Sequence, residues 1–348
     1  MKTLWNEMWD FLKKAWFTVP VALLTAIAYG YSLTHTIINM DDLAKQYYYD
    51  GTVYFAYGRP FRWILEHVTG VIPIHPFVTG LTGLLLILLA AVCFCVVLKR
   101  ASGDALIKPA YPLFACLFIT YPLQFESWLC DWNCIMFGAA YLLSALAVAC
   151  MEHGCRKTRP WGELSVAAAL LAVTLLMYES FLLVYVCGIF FLLILRWVYG
   201  DAESRKLPRF LLKGLLCVLP LVAAYVLKSV VFPESTGLPG FDLEDRAKLL
   251  LVRWVLNGKW SFAVQIVIGA VLLSLACGVA LSIKRRNASL LLLVAGFLVS
   301  PFLFDILLGS RLPLRSCQTV AVFVGFAGVL VCMCLAALTR REWIKTGC

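Results

Sequence analysis

Charged residues are scarce in this chain of 348 residues. Asp, Glu, Lys and Arg make up 14% of the sequence, whereas they make up about a quarter of a typical soluble domain. The polar segments between the apolar runs are too short to fold as soluble domains, and the chain has no glycine-rich nucleotide-binding fingerprint. The sequence therefore excludes a soluble globular protein and gives no sign of a nucleotide site.

Apolar residues fill most of the chain instead. Hydrophobic residues make up 62% of it and the mean hydropathy is +0.87. Apolar runs of about 20 residues recur, which is the length of a helix that crosses a hydrocarbon core ~30 Å thick. We predict an all-α polytopic membrane protein with about ten membrane-spanning helices in a single domain, residues 1–348. The predicted spans are residues 17–38, 75–98, 109–121, 134–151, 164–178, 181–195, 214–232, 260–283, 289–308 and 317–338.

The cysteines give no metal signal. Most of the 14 cysteines lie within apolar runs, where cysteine behaves as a small hydrophobic residue. The two Cys-x-Cys pairs lack the second pair of ligands that a zinc site needs. Cys130 and Cys134 share one loop or helix end, and the sequence leaves open whether they form a disulfide. No cofactor is predicted, and a requirement for a divalent cation is left open.

The distribution of Lys and Arg predicts the topology. About 20 of these residues fall on one side of the predicted membrane and about 10 on the other, and the basic side of a membrane protein faces the cytoplasm. Both termini are therefore predicted to be cytoplasmic, in the cell (inner) membrane, with an amphipathic segment at residues 1–16. The long polar loops, residues 39–72 and 233–259, then face outward. Because the net charge of +10 follows this pattern, no nucleic-acid partner is predicted.

Two carboxylates follow the first predicted span directly. Asp41 and Asp42 can be solvated residues at a helix end. Alternatively, a carboxylate near apolar surface and beside a like charge has a raised pKa and can act as a general base. Adjacent residues of a helix cannot both face one site, so one of the two would act while the other orients or caps. The residues alone do not choose between them.

Arg59 and Pro60 mark the start of a predicted interfacial helix in the first outer loop. The free N–H groups of a helix start favour an anion, and a guanidinium there would add a bidentate clamp for phosphate. The alternative is an arginine that reaches lipid head groups. Arg62 and Glu66 are spaced i,i+4 and are predicted to form a structural ion pair.

Other polar and aromatic residues occur at the outward ends of predicted spans. Charged residues at membrane depth tend to mark a function or a partner, and here they are Glu126, Asp131, Glu179, Lys228, Asp305 and Arg315. Tyr48 and Trp63 belong to an aromatic-rich stretch that could form the rim of a sugar site. An ordinary interfacial aromatic belt is the alternative for these two rings.

Several segments together resemble the GtrII-like, type II glucosyltransferase family of bacterial O-antigen modification. They are MDDL after the first span, YGRPFRWIL before the second, YPLQFESWLCDWNCIMFGAAYLLSALAV, and LLMYESFLLVYVCGIF. Their order and spacing carry the resemblance through most of the chain. In YGRPF the sequence departs from the family's pattern after the arginine, so the family's arginine corresponds to Arg59 or Arg62. Glu179 stands where the family often has Gln, and no catalytic role is assigned to it.

The resemblance implies a GT-C-like architecture and a membrane glycosyltransferase. Such an enzyme would move a sugar, glucose for this family, from a polyprenyl phosphate to a surface glycan on the outer face. An acidic residue in the first outer loop is the expected base, which matches Asp41 or Asp42. A single carboxylate suffices for an inverting transfer. The alternatives are a transporter or flippase for a lipid-linked sugar, which should contain internal repeats that we do not find, and a non-catalytic cell-envelope subunit.

Overall fold

The computed structural model of the protein describes residues 2–35, 54, 58–69, 76–124, 133–200, 207–232, 261–285, 288–308 and 317–339. All regular secondary structure within these ranges is helical. The first six helices are α1 (Lys2–Leu12), α2 (Ala15–Thr34), α3 (Pro60–Thr69), α4 (Pro76–Ser102), α5 (Ala110–Ile119) and α6 (Cys134–Gly154). The others are α7 (Trp161–Leu175), α8 (Leu182–Tyr199), α9 (Leu207–Val231), α10 (Phe262–Arg285), α11 (Ser289–Val299), α12 (Leu303–Leu308) and α13 (Thr319–Thr339). Short 3₁₀ helices, Glu179–Phe181 and Ser300–Phe302, precede α8 and α12.

Six segments of the described chain are long and apolar enough to cross a membrane as helix. They are Ala15–Thr34, Phe77–Ser102, Cys134–Gly154, Glu179–Tyr199, Phe262–Arg285 and Thr319–Thr339. Three further apolar helices are shorter: Trp161–Leu175, Leu215–Val231 and Ser289–Phe302. The predicted class of polytopic helical membrane protein is confirmed. The count of about ten spans and the GT-C-like architecture stay predictions.

Helices α4 and α6 form the most extensive helix pair. Their backbones come close at Gly83 and Gly138, which are small enough to allow it. A Cβ added to Gly83 would lie 2.4 Å from the Cys134 carbonyl oxygen, and one added to Gly138 would lie 2.6 Å from the Gly83 carbonyl oxygen. Small residues are the usual means of close helix contact in lipid, where no hydrophobic effect drives helices together.

A group of phenylalanines joins four helices in the core. Phe94 of α4 makes edge contacts with Phe114 of α5 and Phe326 of α13, at centroid distances of 5.8 and 5.5 Å. Phe326 also stacks on Phe114 at 4.8 Å and on Phe191 of α8 at 4.5 Å. All four side chains are buried. Ring contacts of these kinds add about 0.5–1.5 kcal/mol each beyond area burial.

The C-terminal ends of α4, α6 and α8 meet in a network of paired charges, here called the basic end. Glu152 of α6 accepts from Arg156 at 2.6 Å and from Arg196 of α8 at 3.3 Å. Arg100 of α4 makes a two-pronged contact with Glu7 of α1, at 2.9 and 3.0 Å. Arg156 also donates to the Arg100 carbonyl oxygen at 2.5 Å. These pairs fix four helices to one another.

Helix α1 lies against this end with one face buried. Leu4, Met8 and Phe11 are in the core, whereas Trp5 and Trp9 are exposed. The buried face packs mainly on α4 and on the start of α2. Its predicted location at the cytoplasmic membrane surface stays a prediction.

Candidate functional site

At the opposite end of α8, two cations converge on one carboxylate. The Arg59 guanidinium donates to Glu179 Oε2 through Nη2 at 2.8 Å and through Nε at 3.1 Å. The Lys228 ammonium donates to Glu179 Oε1 at 2.5 Å. The Arg59 guanidinium also lies over the Tyr178 ring, 4.6 Å from its centroid. We call Arg59, Tyr178, Glu179 and Lys228 the Glu179 cluster.

Glu179 owes its position to a break between α7 and α8. The Tyr178 N–H still donates to the Thr174 carbonyl oxygen at 2.9 Å, as in a helix. The Tyr178 backbone itself is extended, with φ −163° and ψ 119°. The chain then turns into a single 3₁₀ turn whose first residue is Glu179, and α8 follows at Leu182. A carboxylate at the start of a helix is favoured by the helix dipole. The break therefore presents an anion at the end of the bundle.

Arg59 reaches the cluster from the start of α3. Its N–H donates to the Tyr54 carbonyl oxygen at 2.7 Å, and Pro60 begins the helix as predicted. Gly58 has φ 64°, in the left-handed region that favours glycine, and so turns the chain into α3. The cation–π contact with Tyr178 and the bond to Glu179 together fix the guanidinium plane.

Lys228 reaches the same carboxylate from the last turns of α9. Its side chain is 2% exposed, whereas that of Glu179 is 22% exposed. An ammonium so deeply buried needs a compensating charge, because removing one partner of a buried ion pair typically costs about 3–5 kcal/mol. Glu179 supplies this charge in the structure. The cluster therefore contains a fixed buried cation and a more accessible anion.

A second polar group fixes α3 to α6. The Arg62 Nε lies 3.2 Å from Glu66 Oε1, which confirms the predicted i,i+4 ion pair, and Nη2 donates to Asn133 Oδ1 at 3.0 Å. The Arg62 guanidinium lies 4.6 Å from the Tyr54 ring centroid. Burial lowers the pKa of Arg62 and raises the pKa of Tyr54 to about 12, although the Arg62 charge opposes the second shift. Arg62, Glu66 and Asn133 are all buried, so this group is structural.

The buried hydroxyl of Tyr141 brings two further segments together at this end. It accepts from Gln124 Nε2 at 2.8 Å and donates to the Gln318 side chain at 2.7 Å. The Tyr141 ring also makes an edge contact with the Phe181 ring, at a centroid distance of 4.8 Å. Phe181 is the last residue of the 3₁₀ turn that begins at Glu179. Gln124 and Gln318 are therefore connected through Tyr141 to the element that carries Glu179.

The predicted site residues divide into two sets. Arg59 and Lys228 meet at Glu179, and Trp63 lies one helical turn away on α3 with its ring 4.1 Å from that of His67. The other predicted residues lie outside the described residues: Asp41, Asp42, Tyr48, Glu126, Asp131 and Arg315. Cys130, whose pairing with Cys134 the sequence leaves open, also lies outside them. Glu126 follows Gln124 by two residues, and Arg315 precedes Gln318 by three.

From the sequence, Glu179 is assigned no catalytic role, whereas the structure places it at the centre of this cluster. Its signal was present, because a carboxylate stood between two apolar runs with only Ser180 beside it. Such a residue at membrane depth needs a cationic partner. Within the part of the chain that the structure describes, no group of three His, Cys, Asp or Glu side chains could hold a metal ion.

The fold and cluster define a polytopic helical membrane protein with a paired cationic site at one end of its bundle. The sequence profile of the family described as glucosyl transferase GtrII matches residues 30–332. The chain therefore belongs to the GtrII glucosyl transferase family, which confirms the resemblance found in its sequence. Family membership supports a glycosyltransferase activity. No curated protein and no solved structure matches the chain.

Proposed function

We propose that this protein moves a glucosyl residue from a polyprenyl-phosphate donor to a surface glycan on the outer face of the cell membrane. The observation that carries the proposal is the convergence of Arg59 and Lys228 on one anion. The two cations come from α3 and α9, which are distant in sequence, and the anion they share is a carboxylate. Phosphate oxygens accept from the same donors.

The donor phosphate would bind between Arg59 and Lys228. A guanidinium binds a phosphate in a planar, bidentate geometry, whereas an ammonium acts as a point charge. Two such groups stabilise the negative charge that develops on the leaving phosphate. Arg315 is proposed as a third cation, because Gln318, three residues further along the chain, is connected through Tyr141 to the element that carries Glu179. Glu126 and Asp131, in the segment between Gln124 and Asn133, are proposed to bind sugar hydroxyls.

An apolar groove supports a lipid-linked donor. A cavity of about 270 Å³ lies between α2 and α4, and its walls include Phe17, Val21 and Leu33 on one side and Leu81, Leu84 and Leu88 on the other. In sequence, these two helices flank the loop of residues 39–72, which contains Asp41, Asp42 and Arg59. A polyprenyl chain in this groove would leave its phosphate at the loop.

The transfer itself would need one base. Asp41 or Asp42 would take the proton of the acceptor hydroxyl, and the acceptor oxygen would bond to the anomeric carbon in line. The bond from that carbon to the phosphate oxygen breaks, and its electron pair stays on the phosphate. The products are the glucosylated glycan, with inverted configuration, and polyprenyl phosphate. Tyr48 and Trp63 would offer ring faces to the sugar.

Orientation follows from the basic end. Arg100, Arg156 and Arg196 lie there with Glu152, at the opposite end of α8 from Glu179. Under the positive-inside rule we propose that this end faces the cytoplasm and that the Glu179 cluster faces outward. Reporter fusions after Lys345 and within residues 103–107 should report the cytoplasm, and fusions within residues 237–242 should report the outside. An external C-terminus would overturn the outer-face site.

The direct test is reconstitution of the purified chain in lipid vesicles. Polyprenyl-phosphate glucose with an acceptor glycan should give glucosylated product, and UDP-glucose without the lipid carrier should not. Efficient turnover of UDP-glucose alone would overturn the donor assignment. Movement of the lipid-linked sugar across the bilayer without transfer would support the flippase alternative instead.

A further inference from the structure

We propose that Glu179 competes with phosphate for Arg59 and Lys228, and that its return to these cations releases the spent polyprenyl phosphate. This inference rests on the proposed function, because it concerns the fate of the product in the same site. It assigns Glu179 a role in positioning the two cations and in product release. Glu179 itself would touch neither the sugar nor the acceptor.

The geometry makes Glu179 and phosphate mutually exclusive. Arg59 directs Nε and Nη2 at the Glu179 carboxylate, and Lys228 directs its ammonium at the same group. A phosphate that received these N–H groups would have to displace the carboxylate. In the structure the protein's own anion fills the position that the proposed function gives to phosphate.

The charge of the phosphate changes during the transfer. The donor is a phosphodiester with one negative charge. When the anomeric carbon–oxygen bond breaks, the electron pair stays on the phosphate and the product is a monoester, which carries about −1.5 to −2 at pH 7. Two fixed cations would therefore hold the product more tightly than the donor. Without a competitor, the site would be blocked by its own product.

The burial of the cluster fits an exchange of anions. The Lys228 side chain is 2% exposed, whereas that of Glu179 is 22% exposed. Glu179 also stands at the start of a single 3₁₀ turn after the extended Tyr178, and the exchange that we propose moves its carboxylate by a change of side-chain rotamer. The buried ammonium would then have an anion at every stage, which avoids the high cost of an unpaired buried charge.

The test compares four full-length proteins in lipid nanodiscs: wild type, Glu179→Gln, Glu179→Asp and Glu152→Gln. Glu152→Gln is the matched control, because Glu152 also binds two cations but lies at the basic end. Polyprenyl phosphate is the probe, and its inhibition constant is measured against polyprenyl-phosphate glucose. The rate of the first turnover is measured separately by rapid quench.

Removal of the competing charge should strengthen inhibition of Glu179→Gln by polyprenyl phosphate about tenfold or more. The first turnover should persist while the steady-state rate falls, which gives a burst of product. Glu152→Gln should show the wild-type inhibition constant. If polyprenyl phosphate inhibits Glu179→Gln no more strongly than wild type, the inference is overturned even though wild type is active.

Two outcomes separate this inference from the proposed function. A wild-type protein that neither turns over the lipid-linked donor nor responds to polyprenyl phosphate would overturn the proposed function itself. If Glu179→Gln does not fold, the inhibition constant of polyprenyl phosphate is measured on Glu179→Asp instead. The side chain of Asp is one methylene shorter, so its carboxylate should compete more weakly for the two cations. Inhibition of Glu179→Asp should be stronger than that of wild type, and an unchanged value would overturn the release role.

Discussion

Two carboxylates at opposite ends of the bundle each bind two cations, and they differ in which partner is buried. At the basic end, the Glu152 side chain is 1% exposed and its partner Arg156 is 50% exposed. In the Glu179 cluster the carboxylate is 22% exposed and the Lys228 side chain is 2% exposed. The first arrangement buries the anion beneath Arg156, which is half exposed, and Arg196, which is 13% exposed. The second buries Lys228 beneath a more accessible anion, while its other cation, Arg59, is 25% exposed.

We interpret this difference as that between a structural ion pair and the replaceable one that we propose. The cations of Glu152 also bind backbone oxygens, since Arg196 donates to the Glu152 carbonyl at 2.7 Å and Arg156 to that of Arg100. These arginines therefore hold the helix ends together as well as pairing with Glu152. At Glu179 the exchange that we propose moves the carboxylate and leaves the two cations in place. The comparison predicts that substitutions at the Glu179 end alter activity, and that those at the basic end alter stability.

The largest effect is expected at the proposed base. Asp41→Asn should lower the transfer rate about 10²–10⁴-fold, because loss of a general base costs that much, while the melting temperature stays at the wild-type value. Asp42→Asn tests the alternative assignment. Transfer is measured with polyprenyl-phosphate glucose in vesicles. Normal rates in both variants, at equal protein levels, would show that the transfer does not use a carboxylate at this position.

The next effect concerns the basic end. Glu152→Gln should destabilise the protein by about 3 kcal/mol, the low end of the cost of breaking a buried ion pair, because Arg156 is half exposed. Thermal denaturation in detergent measures the loss, and activity per folded molecule should not change. A variant that keeps its stability but loses transfer would reverse the comparison of the two ends.

A smaller effect is expected from a change of cation type in the cluster. Arg59→Lys keeps the charge but loses the planar guanidinium, which contacts Glu179 and lies over the Tyr178 ring. The KM for the lipid-linked donor should rise about tenfold, equivalent to about 1.4 kcal/mol. Arg315→Lys makes the same test of the other proposed clamp. Equal kinetics of Arg and Lys at both positions would reduce these residues to lipid anchors.

The sequence predicted the local features of this protein and missed the distant ones. Apolar runs predicted the helices, and the i,i+4 spacing predicted the contact between Arg62 and Glu66. The pairing of Arg59 with Glu179 joins residues 120 positions apart, and no local pattern encodes it. The same holds for Lys228, which follows Glu179 by 49 positions. Only tertiary packing brings the three side chains together.

One helix limit also escaped prediction. The fifth predicted span ran to residue 178, but α7 ends at Leu175 and the backbone of Tyr178 is extended. No proline or glycine occurs between residues 175 and 181 to signal this break. Residues on either side of the break contact distant parts of the chain. Tyr178 contacts Arg59, and Phe181 packs against Phe137 and Tyr141. We infer that packing between distant elements sets this boundary, because no local sequence signal does.

The smallest effect distinguishes two arginines of the same helix region. Arg62 is buried and binds Glu66 and Asn133, whereas Arg59 binds the carboxylate that we propose phosphate replaces. Arg62→Lys keeps the ion pair with Glu66 but loses the bond to Asn133, so the protein should lose about 1 kcal/mol of stability. The donor KM should stay within about twofold of wild type, a shift of about 0.4 kcal/mol. Both are measured on the same preparation as Arg59→Lys. A rise in donor KM for Arg62→Lys, with none for Arg59→Lys, would assign the phosphate contact to the buried arginine and remove the Glu179 cluster from the site.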